Sequence, residues 1–415
     1  MIFLLFLLTP LAWALSSALE DSETLVVYDT RLPEFESQYS KLFEMLRDRN
    51  LEPELALVGP ESEPLELFRN GYRRYQNLLI LPTTAKDLVD TDTLLRFVQD
   101  GGDVFVVSDN TGLQTDVVLF LNELGIYPSP KGYKYIDHHQ GDTLEEPDVN
   151  NKVVLHTNKP ILYKDGSVAL LSNSEFLVPV VRAPRTSYTF NVDEGRVNAD
   201  STWHSGSQGY LFVGLQGLNN ARVFWTGSAA SFKDASFNEE LVSDLINWTF
   251  QISGLIKATS VTHYNENGDS GYKIKDTTTF EIGVSEWDGE KWAPFTGCED
   301  LQLEFVMLDP YYRLTLAPKR VENSSQIYGT TFQIPDQHGM FTYKVLYQRE
   351  GYSFIDESVT VPVRHLANDE YPRSWEITNS WVYLSSALAV MVGWFVFVVV
   401  FVYSGNKKLG KEKTN

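Results

Sequence analysis

Residues 91–125, TDTLLRFVQDGGDVFVVSDNTGLQTDVVLFLNELG, read as helix, strand and helix in one run. Leu94, Leu95 and Val98 recur at helical spacing and form one inward stripe. Gly101 and Gly102 stop that helix. Residues 103–107 (DVFVV) are short, apolar and β-branched, as in a strand covered on both faces. Gly125 closes the second helix, 116–124.

The same rhythm extends toward the N-terminus. Residues 24–28 (TLVVY), 54–58 and 78–81 (LLIL) read as strands, ended by Asp29, Gly59-Pro60 and Pro82. Residues 36–49 form a helix with Tyr39, Leu42, Phe43 and Leu46 on one stripe. This β-α-β-α-β order predicts an α/β fold: an open, mostly parallel sheet with helices on both faces. Ligands of such sheets sit beyond the carboxyl ends of the strands. Those ends carry Tyr28-Asp29, Pro82-Thr83-Thr84 and 108–112 here.

From 130 to 185 the pattern loosens into short strands and loops. Residues 177–181, 209–215 and 221–225 are further strands, and 238–250 is a closing helix with Leu241, Leu245 and Trp248 on one face. The α/β domain is expected over 19–254. Over 255–364 the period changes to short strand-length runs separated by Gly, Asp and Pro, which predicts an antiparallel β-sandwich. Examples are 278–284, 301–308, 312–316, 330–334, 340–347 and 358–363. No Cys…Trp…Cys pattern marks a true immunoglobulin domain. Residues 365–380 form a polar linker.

Residues 381–403 (WVYLSSALAVMVGWFVFVVVFVY) contain no charge and are long enough for a transmembrane helix. Trp381, Tyr383 and Tyr403 sit where ring side chains favour the interface. Residues 1–18 read as a signal peptide, although the leading segment lacks Lys and Arg. In the tail, 404–415, four lysines against one glutamate give +3. Since the whole chain is −21, that leaves −24 before the span. Basic residues beside a span stay cytoplasmic, so the acidic body is expected on the lumenal side, as in a single-pass type I protein. Its charge disfavours nucleic acid as a partner. The small residues Ser386, Ala389 and Gly393 make the span a candidate helix-docking face.

Cys298 is the only cysteine, so no intrachain disulfide and no Cys-based metal framework is available. It reads as a buried small hydrophobe. Two sequons make Asn323, in a polar loop, the better candidate glycan site, and Asn247, at a helix end, the poorer one. Several motifs approach chemistry without reaching it. Residues 205–209 (SGSQG) lack the first Gly of a nucleophile elbow and precede a strand rather than a helix. Asp137-His138-His139 lacks a metal-ligand partner at helical spacing. Asp90-Thr91-Asp92 opens a helix, where acids cap free N–H groups and favour the dipole. Trp203, Trp225, Trp287, Trp292 and Trp375 could stack on sugars, but core packing is the simpler reading. No catalytic, cofactor-binding or metal-binding residue is expected.

Longer phrases carry a resemblance. These are 121–133 (LNELGIYPSPKGY), 183–187 (APRTS), 205–228 (SGSQGYLFVGLQGLNNARVFWTGS), 309–316 (DPYYRLTL) and 364–377 (RHLANDEYPRSWEI). They resemble the non-catalytic 48-kilodalton subunit family of eukaryotic oligosaccharyltransferase, whose yeast form is the wheat-germ-agglutinin-binding protein. The resemblance implies an accessory subunit in the endoplasmic reticulum membrane. Its complex transfers oligosaccharide from dolichol diphosphate to Asn in N-x-S/T sequons. It implies a glutamine amidotransferase-like α/β fold without the catalytic Cys. The implied partners are a catalytic multi-spanning subunit, a ribophorin II-type subunit and a small defender-against-death-type subunit. The tail ends KEKTN, and Lys411 and Lys413 resemble a dilysine retrieval signal. The competing expectation is a stand-alone lumenal glycan-binding protein or enzyme, with its site around Asp29, Thr83 and Asp109.

Overall fold

The structure, a computed structural model, describes residues 22–29, 38–58, 65–83, 89–157, 159–193, 195, 202–268, 270–371 and 380–407. The signal peptide expected at 1–18 and the tail lysines Lys411 and Lys413 lie outside the described residues.

The first part of the chain runs β1 (Ser22–Asp29), α1 (Ser40–Asp48), β2 (Leu51–Val58), β3 (Asn77–Ile80), α2 (Thr91–Gln99), β4 (Asp103–Val107), α3 (Thr115–Glu123), β5 (Leu177–Arg182), β6 (Tyr210–Gln216), β7 (Arg222–Thr226) and α4 (Glu239–Thr249). These strands belong to one ten-stranded sheet. At its centre β2-β1-β3-β4-β7 lie side by side and parallel. Beyond β7, β6 and β5 continue the sheet antiparallel. The turn between β6 and β7, 217–221, is too short for a parallel crossover, which forces a hairpin there. The expected mostly parallel sheet is therefore mixed, with a parallel centre and an antiparallel flank.

Successive side chains in the central strands point to opposite faces. Val26, Leu79, Phe105 and Phe224 pack with Leu42 and Leu46 of α1 and Leu241 and Leu245 of α4. Leu25, Leu78, Val104 and Val223 pack with Leu94 and Phe97 of α2 and Val117 and Phe120 of α3. Helices thus cover both faces, which explains why these strands are apolar throughout rather than alternating. Asn238 caps α4 through its Oδ1, which accepts from Leu241 N at 3.3 Å. The capping expected at Asp90 is different. Asp90 occupies the N-cap position of α2 but makes no side-chain hydrogen bond there, so with Asp92 it acts on the helix dipole alone.

The second part contains β8 (Ile256–Asn265), β9 (Thr277–Trp287), β10 (Gln302–Val306), β11 (Pro310–Thr315), β12 (Ala317–Glu322), β13 (Ser325–Gln333), β14 (Gly339–Tyr347) and β15 (Ile355–Arg364). One sheet has the order β8-β9-β13-β12 and the other β15-β14-β10-β11, each completed by a two- or three-residue strand. They share one core. Phe280 of β9 stacks on Tyr343 of β14 at 5.4 Å, and Phe332 of β13 meets Phe305 of β10 edge-on at 5.2 Å. Two strands escaped the periodicity argument. In β12 every side chain is exposed, and Pro318, Lys319 and Arg320 mark it as a blunted edge. In β8 a bulge between Ala258 and Ser260 breaks the alternation.

The last described element, α5 (Ser380–Lys407), is exposed along its length and packs against no other described element. Its apolar part, Ser380–Ser404, has a mean hydropathy of 2.5. At 1.5 Å per residue it is about 37 Å long, enough to cross a bilayer.

Candidate functional site

The parallel strands leave β1 in one direction through β2 and return past it to β3. The switch point of the sheet therefore lies between β1 and β3, where open α/β sheets bind ligands at the carboxyl ends. Asp29 ends β1, and Thr83 follows β3. The structure brings them together: Thr83 Oγ1 donates to Asp29 Oδ2 at 3.4 Å, and both residues are buried. Tyr39, at the N-cap of α1, is buried. Burial first, then the Asp109 carboxylate, pushes its phenol well above the usual range.

One strand further along, the segment 163–168 lies directly on the ends of β4 and β7. Ser108 Oγ meets Ser167 Oγ at 3.0 Å and Thr226 O at 3.0 Å. Ser228 Oγ donates to Lys164 O at 2.7 Å, and Ser167 N to Gly227 O at 2.8 Å. Gly227 is required by this approach, since a Cβ there would stand 2.0 Å from Tyr163 Oη and 2.1 Å from Ser167 O. Asp109 accepts from Thr111 N at 2.9 Å and from its hydroxyl at 2.5 Å. Beside this segment a cleft of about 400 Å³ remains, and Ser108, Asp109 and Ser167 line it together with Gly112, Lys131 and Trp203.

The other sequence candidates are scattered. Asp137 accepts from His139 N and Thr186 Oγ1, while His138 Nε2 pairs with Tyr188 Oη at 2.9 Å. Among the described residues no group of three or more His, Cys, Asp or Glu could hold a metal. Residues Gly206–Gln208 form a 3₁₀ turn before β6. Cys298 is buried, donates to Asp300 Oδ1 at 3.3 Å, and has its thiol pushed up by burial. Trp225 and Trp287 are core residues, Trp203 is partly exposed, and Trp375 lies outside the described residues. Asn247 lies inside α4 with its Oδ1 accepting from Arg49 Nε at 2.7 Å. Asn323 sits in the turn between β12 and β13, exposed and with φ of 46°. Ser386, Ala389 and Gly393 are exposed on α5, and a Cβ at Gly393 would meet nothing.

The densest polar construction lies at the opposite, amino ends of β4 and β7. Arg222 is wholly buried. Its Nη1 donates to Trp248 O at 2.6 Å and Ser253 O at 2.7 Å, and its Nη2 to Gly254 O at 2.8 Å. The guanidinium also stacks on the Trp248 ring at 4.8 Å. Asp103 opens β4 and accepts from Arg222 N at 2.8 Å and from Gln251 Nε2 at 3.0 Å. Burial pushes the Asp103 carboxyl up to about 7, against the pull of Gln251 and of Arg222. Burial likewise brings Arg222 down to about 10, with Asp103 opposing.

This cluster continues into the sandwich. Trp248 Nε1 donates to Gly351 O at 2.8 Å, Phe354 N to Asn220 Oδ1 at 2.7 Å, and Asn151 Nδ2 to Glu350 O at 3.0 Å. Ser353 N donates to Gly254 O at 3.0 Å. Gly254 has φ of 66°, and a Cβ on it would stand 2.5 Å from Gly351 O. The turn 350–354 is thereby bonded to the end of α4 and to the strands beneath it. Beside the joint opens a cleft of about 990 Å³ between the two parts. Sequence reading missed this whole region. Its one signal was a charge at the head of each apolar run, DVFVV and RVFWT.

Comparison with known proteins gives a consistent result. The model of the OST48 N-terminal domain matches residues 15–252, and that of the OST48 middle domain matches residues 259–405. The dolichyl-diphosphooligosaccharide–protein glycosyltransferase subunit WBP1 of Saccharomyces cerevisiae is 39% identical over 416 residues, covering 95% of this chain and 95% of that protein. The subunit wbp1 of Schizosaccharomyces pombe is 30% identical over 389 residues, covering 86% and 87% respectively. The 48 kDa subunit of the same glycosyltransferase from Danio rerio is 28% identical over 442 residues, covering 97% and 96%.

Proposed function

The chain belongs to the OST48 family, and on that premise we propose that it is an accessory, non-catalytic subunit of the oligosaccharyltransferase complex of the endoplasmic reticulum membrane. There it supports transfer of oligosaccharide from dolichol diphosphate to Asn in N-x-S/T sequons. The body faces the lumen, α5 crosses the bilayer once, and the basic tail faces the cytosol with Lys411 and Lys413 as a retrieval signal. Domains of 19–254 and 255–364 form the lumenal scaffold. Its neighbours are the catalytic multi-spanning subunit, a ribophorin II-type subunit and a small defender-against-death-type subunit. The α/β part keeps a glutamine amidotransferase-like frame whose own chemistry is gone.

One observation carries the non-catalytic reading. At the carboxyl ends of the strands, where this kind of sheet binds ligands, Asp29, Thr83 and Ser108 are buried and bonded to their neighbours. The test is depletion of the chain in cells. Many secreted proteins should become hypoglycosylated, and a copy with Asp29→Asn and Ser108→Ala should restore them as well as the native chain does. Full glycosylation without the chain would end the subunit reading. Rescue by the native copy alone would end the non-catalytic one.

A further inference from the structure

The two ends of the sandwich meet different surroundings. β15 starts at Ile355, next to the turn 350–354 that is bonded to α4, and runs ten residues to Arg364, about 33 Å away. At that far end the 307–309 turn, the start of β14 and the end of β15 come together. Gly339 pairs with Val363, and Val306 pairs with both Thr342 and Pro310. A Cβ on Gly339 would stand 3.1 Å from Met307 Sδ, and the His338 and His365 rings lie 3.6 Å apart. On this tip Leu308 is 88% exposed, more than any other large hydrophobic among the described residues. Met340 and Tyr311 are 57% and 43% exposed. One exposed leucine needs no explanation, but apolar side chains gathered on one tip do.

The chain leaves for α5 from the same tip. Arg364 donates to both carboxylate oxygens of Glu370, at 2.7 and 2.8 Å, and Ala367 N donates to that carboxylate at 2.7 Å. Residues 365–370 are thereby folded back on the end of β15. Ser380, where α5 begins, is nine residues beyond Tyr371. At no more than about 3.6 Å per residue, α5 starts within about 32 Å of Tyr371. Lys273, Lys275 and Arg364 at this end are paired with Asp276, Asp336 and Glu370. What the tip turns outward for contact is therefore its apolar side chains.

We propose that this tip rests in the interfacial layer of the bilayer that α5 crosses, with Leu308 and Met340 at the boundary between headgroups and acyl chains. The short tether holds bilayer and tip at high effective concentration, so a small apolar area is enough to keep them together. The chain is then fixed to the membrane at two points, the span and the tip. The sandwich becomes a spacer that holds the α/β part away from the lipid, with the Arg222 joint at its other end. The inference rests on the reading of α5 as a transmembrane helix and adds how the body is oriented on that membrane.

The test uses the full chain reconstituted in phosphatidylcholine vesicles that contain lipid with a nitroxide quencher on its acyl chain. An environment-sensitive dye is attached at Leu308→Cys, Met340→Cys, Val321→Cys or Gly393→Cys, and the native chain, whose Cys298 is buried, sets the labelling blank. Val321 is exposed on β12 and pairs with Gln326, at the end of the sandwich away from the tip. Gly393 lies in the middle of α5 and reports on the span itself. A nitroxide high on the acyl chain should quench the dyes at 308 and 340 at least about threefold more than the dye at 321. Adding Leu308→Asp to the Met340→Cys chain should bring its quenching down to the level at 321. Dyes at 308 and 340 quenched no more than the dye at 321 would overturn the proposal. So would a dye at 308 that is shielded from aqueous iodide yet not quenched by the lipid, because a protein would then cover the tip. A dye at 393 that a nitroxide deep on the acyl chain leaves unquenched would overturn the transmembrane reading, and the proposal with it.

Discussion

The two ends of the parallel sheet are built in opposite ways. At the carboxyl ends, polar groups are few and short-reaching: a Thr–Asp contact at 3.4 Å, a Ser–Ser contact at 3.0 Å, and a backbone segment laid across the strands. At the amino ends a buried guanidinium and a buried carboxylate hold three carbonyls, a tryptophan and an amide in one network. In α/β sheets the carboxyl ends usually hold the chemistry. Here the stronger construction has moved to the end that usually holds none, and what it grips is the sandwich. The difference teaches that the sheet acts as a rigid base for a second domain. Such a base suits a subunit whose work is to hold neighbours in place.

Breaking the amino-end network should have the largest effect. Arg222→Met keeps much of the stem's volume but takes the guanidinium away from the carbonyls of Trp248, Ser253 and Gly254 and leaves Asp103 with Arg73 as its remaining cation. Removing one partner from a buried charged cluster costs about 3–5 kcal/mol, and that loss should appear in denaturant unfolding of the full chain. Separation of the two parts should follow, read as new protease cleavage near 252–256. An Arg222→Met chain as stable as native would show that the joint is held by packing alone.

The pH dependence sharpens the same contrast. Asp103 has its folded pKa raised from 3.8 to about 7. The folded state therefore binds this proton more tightly than the unfolded chain. That contribution is full below about pH 4 and is lost as pH rises through about 7, with a slope of up to about 1.4 kcal/mol per pH unit. Glu281 in the sandwich has the opposite sign. Burial alone would raise it, but Arg320 and Lys319 outweigh burial and hold it below the usual range. Its contribution is present above the unfolded pKa and is lost as pH falls. Stability curves of Asp103→Asn and Glu281→Gln should diverge from native in opposite pH directions. Curves that shift alike would mean that Asp103 is not desolvated as described.

Much of this fold was legible. Helical stripes such as Leu94, Leu95 and Val98, and continuous runs such as DVFVV, report directly on which faces are covered. The strands that escaped did so for physical reasons: β12 buries no side chain, and β8 carries a bulge. The joint was illegible for a different reason. Arg222 and Asp103 are unusual residues for core strands, yet their partners lie at 248–254, and the loop those residues grip lies at 350–354. No local pattern links such distant segments, and a buried charge is recognisable only once its partners are known. The segment laid on the ends of β4 and β7 was equally hidden, because 163–168 (YKDGSV) reads as an ordinary loop.

The smallest effect should come from the carboxyl ends. Thr83→Val keeps shape and removes a hydroxyl whose contact with Asp29 is long, at 3.4 Å. A weak hydrogen bond of this kind contributes about 1 kcal/mol or less, so unfolding should shift only slightly. The functional readout is more decisive than the stability one. If these ends are structural, sequon transfer by the assembled complex should stay within about twofold of native, because no substrate group would touch them. The same complex carrying Arg222→Met should lose subunits and activity together. A Thr83→Val complex that assembles fully but transfers tenfold more slowly would invert the comparison, since ΔΔG‡ of about 1.4 kcal/mol would then arise where the structure provides only a seal. That outcome would return the chemistry to the end of the sheet where this fold ordinarily keeps it.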